Sequence, residues 1–554
     1  MREIKDIEFN LLDEPWIRVV KPDCSVEEVS LTDALLHAHE YEDLAGELPT
    51  QDIAILRVLL AVLHTVFSRV DAEGNPEHLD EENALERWEE LWELKAFPEK
   101  PIQDYLDQWH ERFWLFHPER PFFQVPTLEF GHRFKIKKLD GAISESDNKI
   151  RLFSSKSGDA KLGLSYAEAA RWLISINAFD DNVGAKPVPT RTNMPPCGVG
   201  WLGQLGLIIA QGKNLFETLL FNLVLLRNGN KNWGKCIPVW EKQEINIGQH
   251  IAIPVPDNPS ELYTLQSRRL LLVKNNGKVT EYLTLGGDFI DSSSAFSWEP
   301  MTLWRKELDR KGNVIGYKPY LHDKSKQIWR LFPVITGIEK NAKLSGLVSW
   351  IISLSDTNTN VQKSMIRFKI ASIVYGGGSQ KSSIENIFSD FLSINCNILN
   401  DSGKIWQKKI EYELIAIDEI AKLLKILSNK LFLANGWREK NAQLNPQFVN
   451  NAHTNYIKDE FYFRVNEPFR IWLTKLSSKQ NPEEMLVLQL DWHEQAKKIA
   501  WRIGEELIEK SGPQTFCGRK VNDKKNNKEF FYSAPEAFNS FSYRLNHIYD
   551  SKGA

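Results

Sequence analysis

The feature that most constrains this chain is a change of periodicity at one glycine run. Before Tyr375 the sequence mixes short β-branched runs, turns and helical stretches, whereas after Ser383 almost every apolar residue recurs at helical spacing. Between them stands Ala371-Ser-Ile-Val-Tyr375-Gly-Gly-Gly-Ser379-Gln380-Lys381-Ser-Ser383, followed by Ile384-Glu-Asn-Ile-Phe388. The β-branched run predicts a strand, the glycines break it, and Ser382 or Ser383 is placed to cap a following helix. The reading is therefore strand, exposed tip, helix. It divides an α+β chain into a large mixed α/β domain over 1–400 and an all-α domain over 401–554.

Strand, glycines, Lys and Ser also stand in the order of a phosphate-cradling loop. One alternative function follows, a nucleotide-dependent enzyme using the degenerate loop 376–383. Such a loop requires Gly directly before the Lys, and here that residue is Gln380. The spacing fails. The small polar and basic tip suits a different task, touching an anion or entering a groove.

With 554 residues the chain is long enough for ~2 to 4 domains. Its net charge of −4 excludes a generally basic nucleic-acid coat, so any nucleic-acid contact must use local patches. Eighteen Trp is a high count, and it predicts packing or interface anchors. Cys24, Cys197, Cys236, Cys396 and Cys517 lie far apart with no CxxC pair, which gives neither a zinc site nor a disulfide framework. The charged start Met1-Arg-Glu-Ile-Lys-Asp-Ile-Glu and the lack of an uninterrupted apolar run of ~18 residues predict a soluble cytoplasmic protein with no membrane partner.

Taken in order, Phe9-Asn-Leu-Leu-Asp-Glu-Pro15-Trp16-Ile-Arg18 reads as a strand with a Pro turn, and Ser25 to Ser30 as its hairpin partner. Ile53, Leu56, Leu60, Leu63 and Phe67 mark a core helix starting at Thr50. The acidic segment Asp80 to Glu93, with Trp88 and Trp92 four apart, reads as a solvated amphipathic face. Phe113 to Gln124 is dense in aromatics and turns. Arg133 to Lys161 carries Arg133, Lys135, Lys137, Lys138, Lys149, Arg151, Lys156 and Lys161 against Asp140, Glu145, Asp147 and Asp159. That segment reads as a long basic loop suited to phosphate. Leu164 to Ile176 reads as a helix, and two Gly/Pro stretches follow at 180–189 and 195–200. Asn275-Asn-Gly277 predicts a hairpin turn between Glu261–Val273 and Val279–Leu285.

Downstream, helical faces run through Ile410 to Leu427, Gln447 to Leu476 with a kink at Pro468, Met485 to Leu507, and Pro535 to Tyr549. Four antiparallel helices make a natural four-helix bundle. Gly512 to Lys528 reads as a second basic loop, with Arg519, Lys520, Lys524, Lys525 and Lys528 facing only Asp523. No HExxH, GxSxG or complete Walker motif occurs, and His322-Asp323 is an isolated pair. The sequence thus favours a binding or scaffolding protein without catalytic residues, metal or cofactor.

Phe9-Asn-Leu-Leu-Asp-Glu-Pro-Trp-Ile-Arg-Val, Arg120-Pro-Phe-Phe-Gln, Leu265-Gln-Ser-Arg-Arg, Glu299-Pro-Met-Thr-Leu-Trp-Arg and the final helices resemble, in this order, the CasA family. CasA is the large subunit of Cascade, the type I-E CRISPR surveillance complex. The resemblance implies an α/β N-terminal domain of unusual topology, a C-terminal four-helix bundle and no catalysis. It implies as partners the CRISPR RNA, the other Cascade subunits, double-stranded target DNA and a helicase-nuclease. The function implied is reading the protospacer-adjacent motif in duplex DNA, helping to open the strands and receiving the nuclease. Carried onto this sequence, the family's loop at the RNA handle and motif falls on Lys149, Arg151, Leu152, Phe153, Ser154 and Lys156, with Ser154 in place of the usual Asn. Its glycine loop falls on Asn182, Val183, Gly184, Ala185 and Lys186, and its strand-splitting wedge on Gly377, Gly378, Ser379, Gln380 and Lys381. The family's motif-reading lysine has no counterpart near Gly286-Gly-Asp-Phe289. Arg268, Arg269 and Lys274 are its substitutes by proximity, with Arg268 and Arg269 assigned to nonspecific DNA contact beside Arg519, Lys520, Lys524, Lys525 and Lys528. A purely structural assembly scaffold is the remaining alternative.

Overall fold

A computed structural model describes residues 7–128, 130–140, 156, 158–181, 197–228, 230–376, 383–436, 446–523 and 528–550. It separates into two compact units, Met1–Leu392 and Ser393–Ala554.

The first unit is organised on the helix Pro49–Phe67. Apolar residues fill its sequence so completely that it is buried on every side, and it is long and apolar enough to cross a membrane by composition. The helices Tyr166–Phe179 and Pro259–Tyr263 and the strand Met365–Gly376 pack against it. Burial all round encloses Asp52, Arg57 and His64, which spacing alone would leave on a polar face. Among the described residues the strands form several two- and three-stranded sheets rather than one large sheet. Ile17–Val20 lies between Val26–Val29 and Asp43–Leu44, so the expected N-terminal hairpin is present. Arg268–Asn275 and Lys278–Gly286 pair through a turn in which Asn276 has φ 50° and Gly277 φ 73°. Positive φ at both turn residues matches the right-handed twist of the strands. His132–Lys135 adds a third strand to this hairpin, with Phe134 opposite Tyr282. The start of the expected basic loop is therefore sheet, because alternating His-Arg-Phe-Lys puts Phe134 on the packed face.

The glycine run differs from expectation on its far side. Ser383–Asn395 is a strand, ordered beside Met365–Gly376, which in turn pairs with Ile209–Gln211. Ser382 or Ser383 therefore caps no helix. A strand after the glycines also removes the helix N-terminus that a phosphate-cradling loop needs, and the nucleotide-enzyme reading loses its structural basis.

In the second unit the helix Lys404–Ala434 packs against Pro446–Thr474, Pro482–Glu509 and Ala534–Asn546, and Pro482–Glu509 contacts the other two. Aromatic rings fill the space between them: Trp472 lies 6.0 Å from Trp406 and 5.8 Å from Trp492, and Phe469 4.9 Å from Trp492. Pro468 sits inside its helix. Asn481 and Glu484 cap the third helix reciprocally, with Pro482 in its first turn. A Cβ at Gly504 would stand 2.7 Å from the Phe541 ring, so this glycine lets the third and last helices approach closely. The described part of Gly512 to Lys528 is not one loop: after the short helix Pro513–Cys517, Arg519–Asp523 pairs with Lys528–Tyr532 as antiparallel strands. Val521 stands opposite Phe530 and Lys520 opposite Phe531, so the strand-forming aromatics of the second strand answer the basic residues of the first.

Candidate nucleic-acid interface

The described ends of three segments singled out in the sequence lie in one neighbourhood. The strand His132–Lys135 runs into a helical turn, Ile136–Leu139, and ends at the buried Asp140. Across the segment 141–155, Lys156 comes back to the same place, 3.0 Å from Asp140 and 2.8 Å from Glu168. Glu168 is itself fixed, since it forms a reciprocal cap with Ser165 at the start of the helix Tyr166–Phe179. That helix ends at Asp180 and Asp181, where the second segment, 182–196, departs, and Cys197 to Gly200 receives its return. The third segment, 377–382, joins the hairpin strands, and Tyr375 at its base donates its hydroxyl hydrogen bond to the Phe179 carbonyl. Lys138, Phe179, Asp181, Ile373 and Ile384 line one small cleft, so the roots of all three segments meet there.

The electrostatics of this junction are set by one guanidinium. Arg268 is buried and donates to the carbonyls of Asp180 (3.1 Å), Asp181 (2.6 Å), Gly198 (2.9 Å) and Ser267 (2.8 Å), with the Asp180 carboxylate 3.3 Å away. It thereby closes both stems of segment 182–196 with one side chain. Burial, helped by the neighbouring Asp180 charge, raises the Asp181 carboxyl above the usual carboxylate range, opposed by Lys138 at 4.0 Å and by Arg268. Burial likewise raises the Cys197 thiol. Lys138 also lies over the Phe134 ring, 3.8 Å from its centre.

The assignment of Arg268 and Arg269 to DNA contact is corrected by this geometry. Neither side chain reaches solvent. Arg269 binds both oxygens of Asp288, at 2.5 and 3.2 Å, and the carbonyls of Gly248 and Gln266, joining its strand to Asp288–Phe289. Lys274 pairs with Glu8 at 2.9 Å and lies over Phe116. Of the other expected residues, Lys149, Arg151, Leu152, Phe153 and Ser154, Asn182 to Lys186, and Gly377 to Lys381 lie outside the described residues, as do Lys524 and Lys525. Lys156 is an ion-paired anchor. Lys520 is exposed and faces Glu529 at 3.3 Å across the hairpin, and Lys528 is opposite Asp523. The guanidinium of Arg519 packs where a side chain on Gly436 would stand.

Asp180 and Cys197 were missed by sequence reading. The adjacent acids at a helix end and the adjacent arginines of Ser267-Arg-Arg269 are the signal that charge pairing inside the fold is required. His322 and Asp323 do not form a site: His322 is buried with Nε2 donating to the Leu207 carbonyl, burial lowers its pKa to about 4, and Asp323 accepts from Ser325 in a local turn. Among the described residues no group of three or more His, Cys, Asp or Glu is arranged to hold a metal ion.

The family model of the CRISPR-associated protein Cse1 matches residues 10–503. This chain belongs to the Cse1 family. A curated relative, CRISPR-associated protein CasA/Cse1 of Thermus thermophilus, is 30% identical over 330 residues, 58% of this chain and 59% of the relative. That alignment spans less than two thirds of the relative's length. The crystal structure of Thermobifida fusca Cse1 matches with a TM-score of 0.78 at 25% identity, covering 99% of each chain. A chain of a CRISPR RNA-guided surveillance complex shares the fold, with a TM-score of 0.65 at 17% identity over 97% of this chain and 99% of that one.

Within this family frame, several motif residues that carried the resemblance do structural work. Trp16 donates to the Leu11 carbonyl, and its own carbonyl accepts from Arg171, which also binds Glu28 and Glu47. Glu299 binds Arg57 through both oxygens, at 2.9 Å each, and accepts from the Trp201 indole.

Proposed function

We propose that this Cse1-family chain is the large, non-catalytic subunit of Cascade, the type I-E RNA-guided surveillance complex, and that its first unit reads the protospacer-adjacent motif in duplex DNA. The observation that carries the reading is the common root of segments 141–155, 182–196 and 377–382 around Phe179 and Asp181. Guide pairing reads the long target sequence, so the protein must supply only a few base-edge contacts, phosphate positioning and a means of unstacking the adjacent step. Three segments anchored at one junction suit those three tasks. Lys149 and Arg151 hold phosphate, Asn182 to Lys186 bring backbone to the groove, and Ser379 to Lys381 form the wedge.

The four helices of the second unit are read as the family's four-helix bundle. Its hairpin, through Arg519, Lys520, Lys524, Lys525 and Lys528, holds DNA without regard to sequence. The CRISPR RNA, the other Cascade subunits and the helicase-nuclease are the proposed partners, in the cytoplasm. The test is reconstitution with guide RNA and partner subunits against a target library randomised beside the protospacer. Enrichment of a short motif is expected, and it should be lost when Asn182 to Lys186 are replaced by a Gly/Ser linker. Motif-independent binding in the intact complex would leave only the scaffold reading.

A further inference from the structure

The aromatic stretch Phe113 to Gln124 takes no part in the interface described above. Its last residues, Pro121 to Gln124, line with Trp240, Gln266 and Arg269 a separate cleft of about 120 Å³, and Arg112, Arg120 and Lys242 complete the lining. Two of the four cations there are engaged by acids of the fold, Arg269 by Asp288 and Lys242 by Glu261. Arg112 and Arg120 are not. Both are half-buried, and neither side chain forms an ion pair or hydrogen bond with the described residues; Arg112 rests 6.0 Å from the centre of the Trp109 ring. Glu244 is the remaining acid of the lining and stands exposed. Burial and the nearby charge of Arg120 both push the Arg112 pKa below its ordinary value.

The backbone of the cleft gives an independent observation. Phe123 has φ 56° while its ring is buried, a left-handed conformation that is costly for a bulky side chain. Gln124 holds the turn in place, donating to the carbonyls of Leu115 (2.7 Å) and Phe122 (3.3 Å) and accepting from the Leu272 amide (2.8 Å). A strained turn is thus fixed next to two like charges that the fold itself does not neutralise. Such a pair is unfavourable in the empty protein and becomes favourable when an oxyanion enters between the guanidinium groups. The cleft has the scale of one tetrahedral oxyanion, and buried Phe122 and Phe123 present no open ring face on which a base could stack.

We propose that the cleft at Arg112 and Arg120 binds a single phosphate group. Inorganic phosphate is the probe, titrated into the full chain in phosphate-free buffer at constant ionic strength while thermal unfolding is followed. The Tm should rise with the logarithm of phosphate concentration above the dissociation constant, by about 2 °C at ten times that constant. Arg120→Gln should abolish the rise and, by removing one of two like charges, leave the phosphate-free Tm unchanged or higher; Arg112→Gln should also abolish the rise. A short single-stranded RNA distinguishes the sources. Competition with phosphate, read from ³¹P line width, assigns the site to a phosphodiester, and its absence assigns it to a small phosphorylated molecule. The proposal is overturned if phosphate gives no rise, if acetate matches it, if Arg120→Gln retains it, or if that variant is less stable without phosphate.

Discussion

Arg57 and Glu299 meet where neither has access to water, and the Arg57 guanidinium also lies 4.2 Å from the centre of the Tyr263 ring. Removing one member of such a pair strands the other, at a cost of ~3 to 5 kcal/mol. Arg57→Met should therefore lower the unfolding free energy by about that amount, and adding Glu299→Gln should recover part of it; a chemical-denaturation series checks both. Asp52 makes the opposite case, because no buried cation compensates it fully. Burial pushes its carboxyl up to about 7 from 3.8, while Gly46 donates to it at 2.7 Å. The native state keeps a proton that the unfolded chain gives up, so this residue's contribution falls as pH rises from about 4 to about 7 and is level above. Asp52→Asn should raise Tm at pH 8 and lose that advantage by about pH 4. An equal offset at both pH values would sink the assignment. Neither residue was legible as buried. The apolar spacing of Ile53, Leu56, Leu60, Leu63 and Phe67 correctly gave a helix, yet that pattern cannot tell a helix covered on one side from one covered on all sides.

At the scale of elements, the misreading of Ser383–Asn395 has a physical origin. Ile384 and Ile387 are three apart, which mimics a helix, and neither is fully buried. Only toward the end, where Leu392 and Ile394 are buried around Ser393, does the two-residue period of a strand emerge. Hairpins with solvent on both faces carry little periodic signal. The Asn-Gly hairpin at Asn275 to Lys278 was legible because its turn demands particular residues, whereas the glycine run permits many conformations. On the proposed wedge role, replacing Gln380 and Lys381 together with Ala should leave motif encounter nearly unchanged and slow strand opening, since unstacking a step costs a few kcal/mol. Base-analogue fluorescence beside the motif separates the two steps. Normal opening in the double variant would return the tip to a plain connection.

Across the whole molecule, a net charge of −4 means that attraction to nucleic acid is local. Several described arginines are turned inward, as Arg57, Arg171, Arg268 and Arg269 show. Counting lysines and arginines in the sequence therefore overstated the charge available to a partner. Reversing Lys520, Lys524 and Lys525 to Glu should weaken assembled-complex binding to every target by a similar factor and flatten its salt dependence, because phosphate contacts position without specifying. An effect confined to one motif would contradict the role given to the C-terminal hairpin. The clasp at Arg268 has a wider consequence. Because one buried side chain holds both stems at Asp180, Asp181 and Gly198, the two ends of segment 182–196 are fixed by residues outside that segment. The sequence of that segment can be exchanged like a cartridge while the junction that anchors its ends stays as it is.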